Sequence, residues 1–160
     1  MNLTGRILVG IGCAIGLSLI APIASAAEAD WQRFVIPQTG ASVEIPMTVF
    51  SQAARLPDGD LGRRFYTADG RADLTLQSFP NNTNDSPATF LAKKRPPSDI
   101  FYKRVTAKFF VVSSFRNDRI WYNRCNRSKD YMNCVLINYP AAEKRQWDKV
   151  VTRISTTLAN

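Results

Sequence analysis

Few side chains in this 160-residue chain are suited to chemistry, and what is missing narrows the choice. There is no histidine. That removes the commonest general base, the commonest metal ligand and the usual partner of a nucleophilic serine or cysteine. Two of the three cysteines, Cys125 and Cys134, stand in "NRCNRSKDYMNC". Their Cys-x8-Cys spacing is not the Cys-x-x-Cys of a thioredoxin-like couple. Nor does any histidine or further cysteine nearby complete a zinc knuckle. The pair reads as a structural disulfide; a redox couple and two free thiols are the alternatives.

Without histidine, paired carboxylates are the remaining catalytic option, as in glycoside hydrolysis. Asp58 and Asp60 stand in "LPDGDLG", and Asp69 and Asp73 flank a "DG" turn. Aspartate in such places also serves turns, through local hydrogen bonds to the backbone. "DGD" lacks the spaced oxygens and closing glutamate of a calcium loop. Ser113-Ser114 lacks a G-x-S-x-G elbow, and the chain has neither a P-loop nor G-x-G-x-x-G. No metal and no cofactor are expected.

The charge is more telling. The formal net charge is +8. Residues 27–92 carry five basic and eight acidic side chains, whereas residues 93–160 carry fifteen basic and five acidic ones. Lys93, Lys94, Arg95, Lys103, Arg104 and Lys108 follow the change, then Arg116, Arg119, Arg124, Arg127 and Lys129. An excess of this kind attracts anions over about one Debye length. Lys93, Lys94, Arg95, Lys103, Arg104, Arg124 and Arg127 are the candidate anion-binding residues; the alternative is a solvated strand surface. Lys93, Lys94 and Arg95 also end a helix, where cations favour the dipole.

The elements that must position these residues are mostly strands. "DRIWYNRC" and "YMNCVLINY" have strand composition and flank the polar "NRSKD". A two-residue turn at Lys129-Asp130 sets Cys125 opposite Cys134 as a non-hydrogen-bonded pair, close enough for a disulfide. "WQRFVIP" and "ASVEIPMTVF" form a hairpin around "QTG", and "LGRRFYT" and "RADLTLQSF" another around "ADG". "SPATFLAKK" predicts a short helix, with Ser86 as N-cap, Pro87 in its first turn, and Pro96-Pro97 beyond its end. "DIFYKRV" and "AKFFVVSSF" follow. The second is apolar at both parities and is expected to be a central strand. Alternation along the first points Tyr102 and Arg104 one way, Phe101 and Lys103 the other. Trp147, Val150, Val151, Ile154 and Leu158 share one helical face, in a helix expected to start at Pro140. The whole reads as α+β: one antiparallel sheet of consecutive hairpins, a short middle helix and a long C-terminal amphipathic helix.

Residues 1–26 read as a secretory signal: Arg6, an apolar run from Ile7 to Ile20, then "Ala24-Ser25-Ala26". A membrane anchor is the alternative, weakened by Gly10, Gly12, Gly16 and Pro22. Cleavage after Ala26 or Ala27 would remove Cys13 and leave an even pair, in a compartment where disulfides persist. Residues 27–160 are then one domain.

The "VEIP" hairpin, the "DG" turn, the short helix, and "YP" leading into a "VV-x-x-I" helix resemble the PsbP-like α/β sandwich. "DGRADLTL", "FFVVSS", "NCVLINYP" and "KVVTRI" resemble a group of small exported bacterial proteins with that fold and no assigned activity. The resemblance implies a fold and a non-enzymatic role in the envelope, and it carries over no catalytic residue. The expectation is a periplasmic or secreted, monomeric interaction or ligand-binding module. Its partner would be anionic lipid, polysaccharide or an envelope protein, and not nucleic acid, because of the export signal. A small carboxylate-dependent envelope hydrolase is the other reading.

Overall fold

The computed structural model describes residues 30–160; the signal segment, its cleavage site and Cys13 lie outside the described residues. Among the described residues, nine strands form two antiparallel sheets. Strands β1 (Trp31–Val35) and β2 (Ser42–Pro46) make a separate two-stranded hairpin. The other seven are β3 (Gln52–Arg55), β4 (Leu61–Tyr66), β5 (Asp73–Pro80), β6 (Asp99–Val105), β7 (Phe109–Arg116), β8 (Arg119–Arg127) and β9 (Tyr131–Pro140). Their order across the sheet is β3-β4-β5-β9-β8-β7-β6. The expected single sheet is therefore two, and β3 was not foreseen. Only four residues long and half of them alanine, β3 gives little strand signal.

The short helix begins and ends for local reasons. In α1 (Pro87–Lys94), the Ser86 hydroxyl caps the free Thr89 N–H, and Pro87 opens the first turn. Arg95, in the left-handed conformation, closes it ahead of Pro96-Pro97. Pro140 ends β9 instead of starting the last helix. A 3-10 turn, Ala141–Glu143, intervenes before α2 (Lys144–Thr157). The β4–β5 hairpin turns at Gly70, which takes a positive φ. Gly62 lets β4 lie hard against β5, where a Cβ would stand 2.1 Å from the Leu76 carbonyl oxygen.

After β5 the chain passes through α1 to the far edge of the sheet. It then returns as a meander, β6 to β9, until β9 pairs with β5. β9 is therefore the central strand. β7, expected there, lies second from the edge. Its doubly apolar pattern is real, since Phe110 to Ser114 are all buried.

The two faces of the sheet are covered differently. On one, α2 and the β1–β2 hairpin pack over Phe65, Leu74, Leu76, Ile120, Val135, Ile137 and Tyr139. Trp147 of α2 stacks on Tyr139 at 5.5 Å and also meets Phe50. On the other, α1 seats Phe90 and Leu91 over Phe110, Val112, Met132 and the Cys125–Cys134 disulfide. The predicted register holds there. Cys125 faces Cys134, with their Cα atoms 4.0 Å apart, beyond a turn closed by Ser128 N–H to the Tyr131 carbonyl.

Candidate anion-binding face

The seven candidate cations fall on both faces of the sheet. Lys93 is tied to Asp85 at 2.5 Å. Lys94 lies with its ammonium 3.2 Å from the centre of the Phe79 ring, and burial there pushes its pKa down. Arg95 caps α1 and lines a cleft with Ser98, Asp99 and Arg116. Arg127 donates to the Asn84 side-chain oxygen and so braces the loop before α1. The side chains of Lys93, Lys94 and Arg127 thus have local work to do, whereas Arg95 closes the helix through its backbone and its guanidinium has no ion-pair partner among the described residues. Lys103 projects from β6 toward α1.

Arg104 and Arg124 are brought together. Arg104 of β6 is opposite Val111 of β7, which is opposite Arg124 of β8, so the three form one row across the sheet. Side chains in such a row share a face. Both guanidiniums lean over the ring of Phe109, at 5.4 Å for Arg104 and 4.7 Å for Arg124. Arg124 donates to Asn126 Oδ1. Neither arginine has a carboxylate partner among the described residues.

The next rows are aromatic. Tyr102, Ser113 and Tyr122 stand side by side. Beyond them Phe101 stacks on Phe115 with ring centres 4.6 Å apart. This corrects the simple alternation read along β6. A bulge between Ile100 and Tyr102 inserts Phe101 as an extra residue, which turns it to the side of Phe115 and Tyr102. Phe101 and Lys103, expected to point the same way, therefore point apart, and Phe101 joins the arginine face. The four aromatic members Phe101, Tyr102, Phe109 and Phe115 were not singled out from the sequence. Their shared face depends on the bulge and on which strands α2 leaves open.

Tyr122 marks the border of that opening. Its hydroxyl donates to Ser155 Oγ of α2, and burial raises its pKa. Past Tyr122, Phe101 and Tyr102 are 43% and 48% exposed. What remains is a flat strip of aromatic surface with two arginines not committed to carboxylates. Guanidinium forks suit carboxylate and phosphate oxygens, and rings beside them offer flat apolar contact.

The carboxylates do not form a comparable group. The two pairs stand at opposite ends of β4, about 20 Å apart for a six-residue strand. Asp73 is held by Arg64 at 3.2 Å and Arg119 at 3.8 Å, and it accepts from Asn138. Asp69 accepts from the Arg71 N–H, which with the Arg71 guanidinium keeps its carboxyl well below the usual range. A general acid of a glycosidase needs the opposite shift. Among the described residues no three of Cys, Asp and Glu gather where a metal could bind.

No protein-family model matches the chain. No curated protein matches it either. Among solved structures it is similar to cyanobacterial PsbP (CyanoP) from Synechocystis sp. PCC 6803, with a TM-score of 0.61 and 8% identity. The match covers 91% of this chain and 98% of that one. At that identity the likeness carries architecture and no function: this chain has a PsbP-like α+β fold.

Proposed function

We propose that this protein is an exported, non-catalytic interaction module that holds an anionic component of the cell envelope on the open strip of β6, β7 and β8. The observation that carries the reading is the placement of Arg104 and Arg124 around Phe109 on an exposed aromatic face, without carboxylate partners among the described residues. Arg64, Arg71 and Arg153, by contrast, all pair with acids. Export is supported by the signal-like first 26 residues and by a disulfide, which persists in oxidising compartments. A PsbP-like fold fits a non-catalytic role. The hydrolase reading draws no support from these side chains, because the candidate carboxylates are separated and Asp69 is shifted the wrong way for a general acid.

Retention on an acidic polysaccharide matrix, measured against salt, tests the proposal. Binding is expected at low salt and should weaken steeply as salt rises. Arg104→Glu with Arg124→Glu should abolish it, while Lys93→Glu should change it little. Retention on anionic vesicles but not on polysaccharide would assign the ligand to lipid. No salt-sensitive retention on either would end the reading.

A further inference from the structure

The opposite face of the same sheet edge carries a feature that the arginine face leaves unused. A groove of about 450 Å³ runs between α1 and β6. Ala88, Leu91 and Ala92 form its helix wall, and Ile100, Lys103 and Val105 its strand wall. It exists for two reasons. Ala88 and Ala92 are one helical turn apart and offer only methyl groups, so the helix wall stays low. The bulge at Phe101 then changes the parity of β6. Ile100 stands opposite Ser114, Lys103 opposite Val112 and Val105 opposite Phe110. Without the extra residue, Ile100 and Lys103 would face opposite ways. With it, all three reach the groove.

The lining is chemically lopsided. Ile100 and Val105 stay 39% and 37% exposed, large apolar side chains left in water. Lys103 has no ion-pair or hydrogen-bond partner among the described residues. An apolar cleft of a few hundred Å³ with one placed polar group has the form of a small-ligand site. The apolar walls call for an alkyl chain and the free ammonium for an anionic head. A second copy fits poorly, because pairing β6 with another β6 edge to edge would bring Lys103 and Arg104 of both copies together.

We propose that the groove between α1 and β6 binds a monomeric single-chain anionic amphiphile, its alkyl chain between Leu91 and Ile100 and its head group on Lys103. The inference does not rest on the arginine face, since Arg104 and Arg124 project from the other side of the sheet.

Calorimetric titration of the purified protein with octanoate, decanoate and dodecanoate, each kept below micelle formation, tests it. Affinity should rise by up to about fourfold for each added methylene the groove buries. Ala92→Phe fills the groove from the exposed side of α1 and should weaken dodecanoate at least about tenfold, since several methylenes lose their contact. Ile100→Glu, on the exposed edge strand, should do the same and serves if Ala92→Phe unfolds the protein. Lys103→Gln should cost dodecanoate about fivefold, the size of one exposed ion pair, and leave neutral dodecyl maltoside unchanged. Equal binding of octanoate and dodecanoate, or unaltered binding by both groove variants, would overturn the proposal. So would dimerisation that Ala92→Phe abolishes, which gives the groove to a second copy. Association with phosphatidylglycerol vesicles in the absence of dodecanoate binding would overturn it too, in favour of a bilayer.

Discussion

One face of the seven-stranded sheet is two different surfaces. Over β5, β9 and the near side of β8 it is a core: Leu74, Leu76, Val135 and Ile137 are fully buried beneath α2 and the β1–β2 hairpin. Over β6 and the outer end of β7 the same face is open, with Phe101, Tyr102 and Phe115 exposed, although Val111 and Ser113 of β7 are buried. The residue types are similar, aromatic and β-branched on both halves. Coverage makes the difference. Seven strands span roughly 29 Å, while a helix about 10 Å across beside a two-stranded hairpin covers only part of that width. Apolar rings beyond the cover stay in water, and the arginines among them find no acid. On this face the covered half holds the buried apolar contacts, and the open half leaves its rings to solvent.

The largest expected effect is on the covered half. Trp147→Ala removes the ring that fills the space between Tyr139 and Phe50 and should cost about 3–5 kcal/mol of unfolding free energy. Phe115→Ala, on the open half, should cost about 1 kcal/mol or less. Denaturant titration of both measures the contrast directly, and similar costs would break the comparison.

Next in size is the disulfide on the opposite face of the sheet. The disulfide joins β8 to β9. Its loop has a sequence separation of 9 residues. Closing so short a loop gives roughly 2.5 kcal/mol in the chain-entropy model. Replacing Cys125 and Cys134 together with alanine should lower stability by about that amount. A reductant should destabilise the wild type and leave the double variant unaffected. Thiol labelling of the denatured, unreduced protein should detect no reactive Cys125 or Cys134.

A smaller effect belongs to alkaline solution. Burial raises the pKa of Tyr139 well above its ordinary value, and raises that of Tyr122 at the border. A raised folded-state pKa favours the neutral phenol in the native protein. The stability it contributes is complete below the unfolded pKa of about 10 and is lost as pH climbs toward the folded pKa. Unfolding free energy should therefore fall above pH about 10, and Tyr139→Phe should flatten that fall. Tyrosinate absorbance followed against pH gives the check, and an unchanged slope in the variant would contradict it.

The smallest effect on stability sharpens the comparison most. Arg104→Glu with Arg124→Glu should cost about 1 kcal/mol or less, since exposed cation–π contacts are weak, while removing retention on an anionic matrix. A large loss of stability would mean that the arginines are structural.

Much of the fold was legible because its signals are local. Ser86 and Pro87 start α1 through a cap and a fixed φ, and the structure has them there. The period of Trp147, Val150, Val151 and Ile154 marks the buried stripe of α2. The turn at Lys129-Asp130 counts out to the cysteine pair, because strand register follows from the turn. The candidate sites were less legible. Lys94 and Arg127 look like the other cations in sequence, yet one lies half-buried against a ring and the other braces a loop.

The sequence by itself determined most of the elements, the apolar stripe of α2, the disulfide register and the concentration of positive charge after residue 92. These depend on neighbours a few positions apart, and periodicity, caps and turn chemistry report such neighbours. Tertiary structure decided that β9 and not β7 lies at the centre and that the β1–β2 hairpin leaves the main sheet. It decided too that Phe101 shares a face with Tyr102, and that of the seven candidate cations Arg104 and Arg124 converge on Phe109. Each of these depends on which distant strand lies alongside, on one bulge, and on where α2 runs out of width. Those pairings are set by burial summed over the whole sheet, which no local pattern encodes.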